Sequence, residues 1–475
     1  MAEKPKEEPK PAKGNICCNG VPARYVVTAL GFIAMNIIYG LKVNYSICLI
    51  AMVNHSAVLG SDNDTEKECK LEQRNVDNGP QTQNGPYNWS EPLQGTLLSC
   101  YYWGFICSQI PGARLAESLS AKWVLFAAVL VNIAAAALTP LLAQWLFLGL
   151  IFTRFLSGLF GGAAVPAMYV LILAWAPLEE RYFLSTICFL GTTVGTVWSI
   201  MISGAIAENC GWIWVFYGMA AASCLWLILW IILIQDSPNK QTFISPEERE
   251  LINKSLAGEP KELPTLKAPW SKILRSKAFW AILIAHTCSN WGWYMFLLET
   301  PFYYKQIFKF PLDDNGVFSA LPFLPMIGFG ALIGFMMDRL MLADKLTPTT
   351  ARKIATSIAS LVPALCLVGL LFIGCHSYVA VIIVFLAVMC MGAMFSGFVS
   401  NQIDISPNYA VTLVALTNTV ATLPAIIVPI LAGFLTNHNE TTDAWRIIFG
   451  TAIIMFLIEF IIYVSMGSAE VEPWN

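Results

Sequence analysis

Two basic residues inside long apolar runs carry the first chemical signal in this 475-residue chain. Lys42 falls in Tyr39-Gly40-Leu41-Lys42-Val43-Asn44; Arg154 precedes Gly158 and Gly162, at GxxxG spacing, and Pro166. A charge at mid-bilayer depth costs about 2.5–3.5 kcal/mol on insertion scales, so it is expected to face a cavity or a partner. Two such cations, read with no acid at comparable depth, predict a cavity that attracts anions. Tyr39, Asn44 and Tyr294 are expected to complete the site by hydrogen bonds, with Trp291 lining it beside Asn290. Each has a plainer reading. Lys42 could snorkel to an interface, although it lies about a dozen residues or more from either end of its run. Arg154, nearer an end, could serve helix packing, and the aromatic cluster could be packing or an interfacial belt. His286 reads as a packing residue rather than a proton relay.

The elements that would position these groups are membrane helices. Hydrophobic residues make up 56% of the chain, and the mean hydropathy of +0.61 exceeds what a soluble core needs. Only 12% of residues are charged, and 28 basic side chains nearly balance 31 acidic ones, so no overall field suggests a nucleic-acid partner. Roughly twelve apolar runs are long enough to cross about 30 Å of hydrocarbon. They group six plus six, predicting an all-α protein with a polar tail (1–24), a six-helix half (25–234) with a long loop at 54–93, a linker (235–277), a second six-helix half (278–466) and a short tail (467–475). The lipid bilayer is the expected surroundings, and a monomer the expected state.

Basic residues resist translocation. With the N-terminus cytosolic, roughly 20 of the Lys and Arg residues fall on the cytosolic side, which puts both termini and the linker there. The sequons at Asn63, Asn88 and Asn439 then all lie on the opposite face, where a sugar could be attached, while Asn253-Lys254-Ser255 in the linker is a chance match. Most of the thirteen cysteines sit in apolar runs as small hydrophobes. Cys69, Cys210 and Cys375 lie near the outer face, where one disulfide of undetermined pairing could form. Cys17 and Cys18 could be lipidated or remain free thiols.

A local pattern recurs six spans apart: Gly112-Ala113-Arg114-Leu115-Ala116-Glu117 and Gly334-Phe335-Met336-Met337-Asp338-Arg339. Each sets an acid just after a glycine at a helix end, with Lys122, or Arg352 and Lys353, following. Glu117, Asp338, Arg114 and Arg339 are therefore expected to latch the cytosolic side in one state, and the repeat fits a carrier built of two parallel halves.

Taken together, these residues resemble the anion:cation symporters of the major facilitator superfamily, which include sialin, the vesicular glutamate transporters and sodium/phosphate cotransporter-like proteins. The marks are Tyr39 to Ser46; Trp103-Gly104 with Ser108 to Gly112; Arg154 with Pro166-Ala167 and Trp175-Ala176-Pro177; Asn290-Trp291; Asp404-Ile405-Ser406-Pro407; Thr417-Asn418-Thr419 with Ala421 to Pro424; and Pro473-Trp474. The resemblance implies the major facilitator fold, with twelve helices, and a role in substrate handling for Arg154. There are departures. Lys42 stands where the family usually has arginine, keeping the charge but losing the planar fork. Gly161 stands where sialin and the glutamate carriers have an acid tied to proton coupling, and Ser157 where sialin has another. Leu98 and Ser289 replace the glutamate carriers' histidine and arginine. The pattern looks most like the phosphate-cotransporter-like members.

The expectation is therefore a secondary carrier of a small inorganic or organic anion working by alternating access, driven by sodium or membrane potential more readily than by protons. A non-transporting anion sensor on the same fold is the alternative. No metal cluster, nucleophile elbow or phosphate-cradling loop points to an enzyme. The plasma membrane, or a lysosomal or vesicular membrane, would house it.

Overall fold

A computed structural model describes residues 21–54, 85–178, 180–256 and 269–475. Apart from an isolated bridge between Val53 and Tyr87, the described residues form helices and the turns between them. Ten helices are long and apolar enough to cross a membrane. The first half contributes α1 (Ala23–Met52), α3 (Ala121–Trp145), α4 (Phe147–Trp175), α5 (Arg181–Cys210) and α6 (Trp212–Leu233) to this set. The second contributes α8 (Leu312–Leu342), α9 (Pro348–Leu370), α10 (Ser377–Ile405), α11 (Ala410–Ala421, then Pro424–Thr436) and α12 (Thr442–Met466). Two long helices complete the expected twelve: α2 (Glu91–Ser118), and α7, which runs Lys277–Tyr294, Met295–Glu299 as a π turn and Thr300–Gln306. α2 is less apolar because it turns Gln94, Ser99, Ser108 and Gln109 inward. Leu148, Phe372, Ile382 and Ile461 face outward, as side chains solvated by lipid do.

The two halves repeat one crossing with its small residues exchanged. Where α2 meets α4, a Cβ on Gly162 would strike the Ser108 hydroxyl, and one on Gly158 would overlap the backbone of Tyr101. Where α8 meets α10, the serine is on the other helix: the Ser396 hydroxyl donates to the Gly330 carbonyl at 3.3 Å, and a Cβ on Gly392 would overlap the Met326 carbonyl. Small residues let backbones touch, which is how helices associate where lipid supplies no hydrophobic drive. α4 breaks after Gly161 and resumes at Ala164, close to the glycines and Pro166 that predicted a break.

At the end that carries the long loop, the halves close on each other. α2 packs on α11, where Cβ atoms on Gly95 and Gly433 would overlap the Pro429 and Glu91 carbonyls; α5 packs on α8 through Gly204, Gly316 and a hydrogen bond from Leu312 N to Glu208 Oε2 of 3.1 Å. Deeper in, Gln109 meets Asn418, Thr419 and Thr422 of α11 at 3.3–3.5 Å.

The expected latch is differently wired. Glu117 takes Arg114 of its own helix at 3.1 Å, both exposed; Asp338 is exposed and Arg339 stacks on Phe335. Lys122 donates to the Ile231 carbonyl and Arg352 pairs with Asp404, each inside its own half. Among the described residues these pairs all stay within one half, while the halves are joined at the opposite end.

The linker is more than a polar connector. Its helix Pro246–Leu256 brings Glu248 under α1, where the carboxylate accepts from Ala23 N at 2.8 Å and Arg24 N at 3.1 Å, satisfying donors that a helix start leaves open. Arg24 also donates to Glu248 and, through Nε, to Glu180 at 2.8 Å. The last residues are likewise docked: Glu472 N donates to the Ile405 carbonyl, Ser276 donates to Glu472, and Trp474 is buried. Cys375 is disulfide-bonded and Cys210 is free, while Cys17, Cys18, Cys69 and Asn63 lie outside the described residues. Asn88 and Asn439 are exposed at the long-loop end.

The Arg24 guanidinium holds the Glu180 carboxyl below the usual carboxylate range. A folded-state value below the unfolded one stabilises at neutral pH and is lost as pH falls through the folded value. Because Glu180 is partly exposed, about 1 kcal/mol or less is at stake. Glu180→Gln is expected to lower the melting temperature at pH 7 and to flatten its decline between pH 7 and pH 4; an unchanged acid decline in the variant would exclude the pair as its source.

Candidate functional site

Tyr39 and Lys42 are one helical turn apart and share a face of α1, which carries Lys42 into the seam between the halves. There its ammonium sits among five rings: Tyr102 at 4.7 Å, Tyr39 at 4.8 Å, Phe105 at 5.0 Å, Tyr101 at 5.7 Å and, from α7 of the other half, Tyr294 at 5.9 Å. Lys42 is 5% exposed and faces no carboxylate among its recorded contacts. Ring faces carry negative quadrupole density, worth about 2 kcal/mol or more for a desolvated cation, so the cage offsets part of the cost of burying the ammonium.

Arg154 is brought beside it by the α2–α4 crossing. Its guanidinium lies 3.9 Å over the Tyr45 ring and 5.1 Å from Tyr101, so Tyr101 is shared by both cations. One Nη donates to the Lys42 carbonyl at 3.4 Å, while Nε has no partner. A cavity of about 10 Å³, room for roughly one water, opens beside Arg154, lined on one side by Tyr45, Asn132, Thr153 and Ser157 and on the other by Leu41, Ala135 and Ala136. The Tyr45 hydroxyl bonds Thr139, fixing the ring under the guanidinium.

Of the residues expected in the site, Tyr39, Lys42, Arg154 and Tyr294 are brought together, and Asn44 and Trp291 are not. Asn44 is two residues from Lys42, about 200° round the helix, so it points away; its amide meets Met219 Sδ of α6 at 3.5 Å. Trp291 donates through Nε1 to Thr451 of α12 at 3.2 Å, inside its own half. Tyr101, Tyr102 and Phe105 were missed because the aromatic face of α2 is visible only once α1 is laid against it. The hydroxyls of Tyr101 and Tyr102 are buried without partners. Gly161 has a reason as well, since a Cβ there would strike the Tyr101 hydroxyl. The tyrosine fills the place that an acidic side chain at 161 would need.

The reading of no acid at depth does not hold. Glu299, in the π turn of α7, is 5% exposed and Glu459 of α12 is fully buried. Counting charges inside the seventh and twelfth apolar runs would have found both. Among the described residues no group of three or more His, Cys, Asp or Glu side chains could hold a metal ion.

The family model of the Major Facilitator Superfamily matches residues 25–429. Human sialin is 34% identical over 466 residues, covering 98% of this chain and 93% of sialin. A putative inorganic phosphate cotransporter of Drosophila melanogaster is 32% identical, covering 95% of this chain and 86% of its own length. Human vesicular glutamate transporter 2 is 30% identical, covering 99% and 79%. Among solved structures, a bacterial homolog of the human lysosomal transporter Spinster, inward-facing and unoccupied, superposes with a TM-score of 0.71 at 12% identity over 95% of this chain and 99% of the other. A D-xylose-proton symporter does so with a TM-score of 0.64 at 14% identity, covering 94% and 99%. At such identities the structures speak for the fold alone, and the twelve helices in two similar halves agree with it. The chain belongs to the major facilitator superfamily, in the branch of sialin, the phosphate-cotransporter-like proteins and the vesicular glutamate transporters, and is a multi-pass membrane transporter rather than an enzyme.

Proposed function

We propose that this protein carries a small organic or inorganic anion across a membrane by alternating access, with Lys42 and Arg154 as the anion-binding cations. The observation that carries this reading is the pair itself: two buried basic groups sharing the Tyr101 ring, one of them caged across the seam by Tyr294. An unpaired cation withdrawn from water is expensive, and an anion that bonds it returns much of that cost. The names of the relatives support the class of cargo, since sialin, a phosphate cotransporter and a glutamate transporter all point to anions. Rocking of the halves would open the site alternately to each end. The linker end, with Arg24, Arg114, Arg339 and Arg352, is assigned to the cytosol, and the end of Asn88 and Asn439 to the lumen or exterior. The relatives favour a lysosomal or vesicular membrane, with the plasma membrane as the other candidate.

The test is uptake of labelled phosphate, sialic acid, glutamate and urate into liposomes holding the purified protein, by exchange against the same unlabelled anion. Exchange of at least one of them is expected. A protein that none of the four enters, although one stabilises it against heat, is a sensor and not a carrier.

A further inference from the structure

We propose that Glu299 is the proton-binding group that couples anion movement to a pH gradient, a reading that rests on the carrier function above. Its carboxyl is buried, has no recorded hydrogen bond or ion pair, and leaves Oε1 enclosed without a partner. A carboxylate with one oxygen enclosed and unpartnered is costlier than the neutral acid, so this environment favours binding of a proton. Hard cations gather several oxygen ligands at once; the preceding Met295, Phe296, Leu297 and Leu298 offer none from their side chains and the following Thr300 offers a single hydroxyl, a poorer setting for sodium than for a proton.

Position sets Glu299 apart from the other buried acid. It lies in a five-residue π turn, a local widening of the helix that recurs at functional sites. That turn packs against α1 of the opposite half as well as against α8 and α11 of its own, and follows directly on Tyr294 of the Lys42 cage. Motion of one half over the other must therefore change the surroundings of the turn that carries Glu299. Glu459 instead sits beside Ser289 in the α7–α12 contact, wholly inside one half, where rocking leaves its enclosure unchanged.

The ionisable groups on the elements around Glu299 are Tyr39, Lys42, Tyr45 and Cys48 on α1, with Arg24 and Tyr25 at its far end; Tyr294, His286 and Cys288, with Lys277 at the far end, on α7; Tyr303, Tyr304 and Lys305 on its last turns; and Asp313 and Asp314 at the start of α8, with Asp338 and Arg339 at its far end. The neighbouring segment of α11, Pro424–Thr436, has none. The coupled step is a proton passing from water to the carboxylate on one side and back to water on the other, with no other bond made or broken.

Glu299→Gln mimics the protonated acid. With whichever of labelled phosphate, sialic acid, glutamate or urate the wild type exchanges, the variant is expected to exchange at a similar rate. Accumulation under a one-unit pH gradient, about tenfold at most for one proton per anion, should fall to none. Glu459→Gln, tested in parallel, should accumulate like wild type. Accumulation retained by Glu299→Gln overturns the proposal, as does loss of exchange with it, which would make Glu299 structural or anion-handling. Wild type that exchanges anions but follows only sodium or voltage overturns this proposal and leaves the carrier standing. Wild type that exchanges none of the four overturns both.

Discussion

Lys42→Met is expected to lower kcat/KM for anion exchange by about 10- to 100-fold, the loss of one charge-assisted hydrogen bond. Methionine keeps an unbranched apolar stem that can fill the space among Tyr39, Tyr101, Tyr102, Phe105 and Tyr294, so the cage need not collapse. Removing a charge that has no carboxylate partner leaves no orphaned counter-ion. Thermal stability should hold or rise while transport fails, a split that a merely structural lysine would not give. Lys42→Arg should keep exchange within about tenfold, because it keeps the cation and guanidinium also stacks on rings. Arg154→Met is the companion test, since its Nε is already free to take a ligand oxygen. Both neutral variants exchanging at the wild-type rate would remove the cationic site.

How much of this was legible in the sequence follows from what each signal depends on. Helix number came from run length alone, so even α2 and α7, whose inward polar residues dilute their hydropathy, were found. Lys42, Arg154 and Tyr39 were legible because a charge in an apolar run, and a partner one turn away on the same helix, are properties of a single segment. Asn44 was misplaced for a reason the same segment holds, its position two residues from Lys42. Trp291 and the α2 aromatics were not legible, because which face of one helix meets which face of another is set by pairwise packing, through Gly104, Gly158 and Gly162 where α2 crosses α4 and through Gly292 where α7 meets α12. The latch pairs are not formed here, for a different reason. Glu117 and Asp338 are helix-end groups whose partners depend on which end of the carrier is closed, and here the opposite end is. The disulfide at Cys375 lay within the stated possibilities, but spacing could not select it over Cys210.

Gly95→Val is expected to reduce uptake about tenfold or more by holding the long-loop end open. The Cβ of any other residue at 95 would overlap the Pro429 carbonyl, and Gly433 makes the reciprocal approach to the Glu91 carbonyl. These are backbone atoms, unable to swing aside as a side chain could, so a larger residue must separate α2 from α11. That separation is harmless in the conformation where this end is open and excluded in the one seen here. The substitution therefore shifts the balance between conformations more than it destabilises the fold; overpacking of this kind typically costs about 1–3 kcal/mol, and a few kcal/mol suffices to change which of two states dominates. Leu98, one turn further in on α2 and 2% exposed, reports the change when replaced by cysteine in a protein lacking the exposed Cys107, Cys210 and Cys224. A membrane-impermeant maleimide added on the sequon side should label Leu98→Cys slowly alone and rapidly when combined with Gly95→Val. Full uptake with Leu98→Cys still protected would mean that the α2–α11 contact is not the closure that alternates, and the moving seam would then have to lie at α5 and α8.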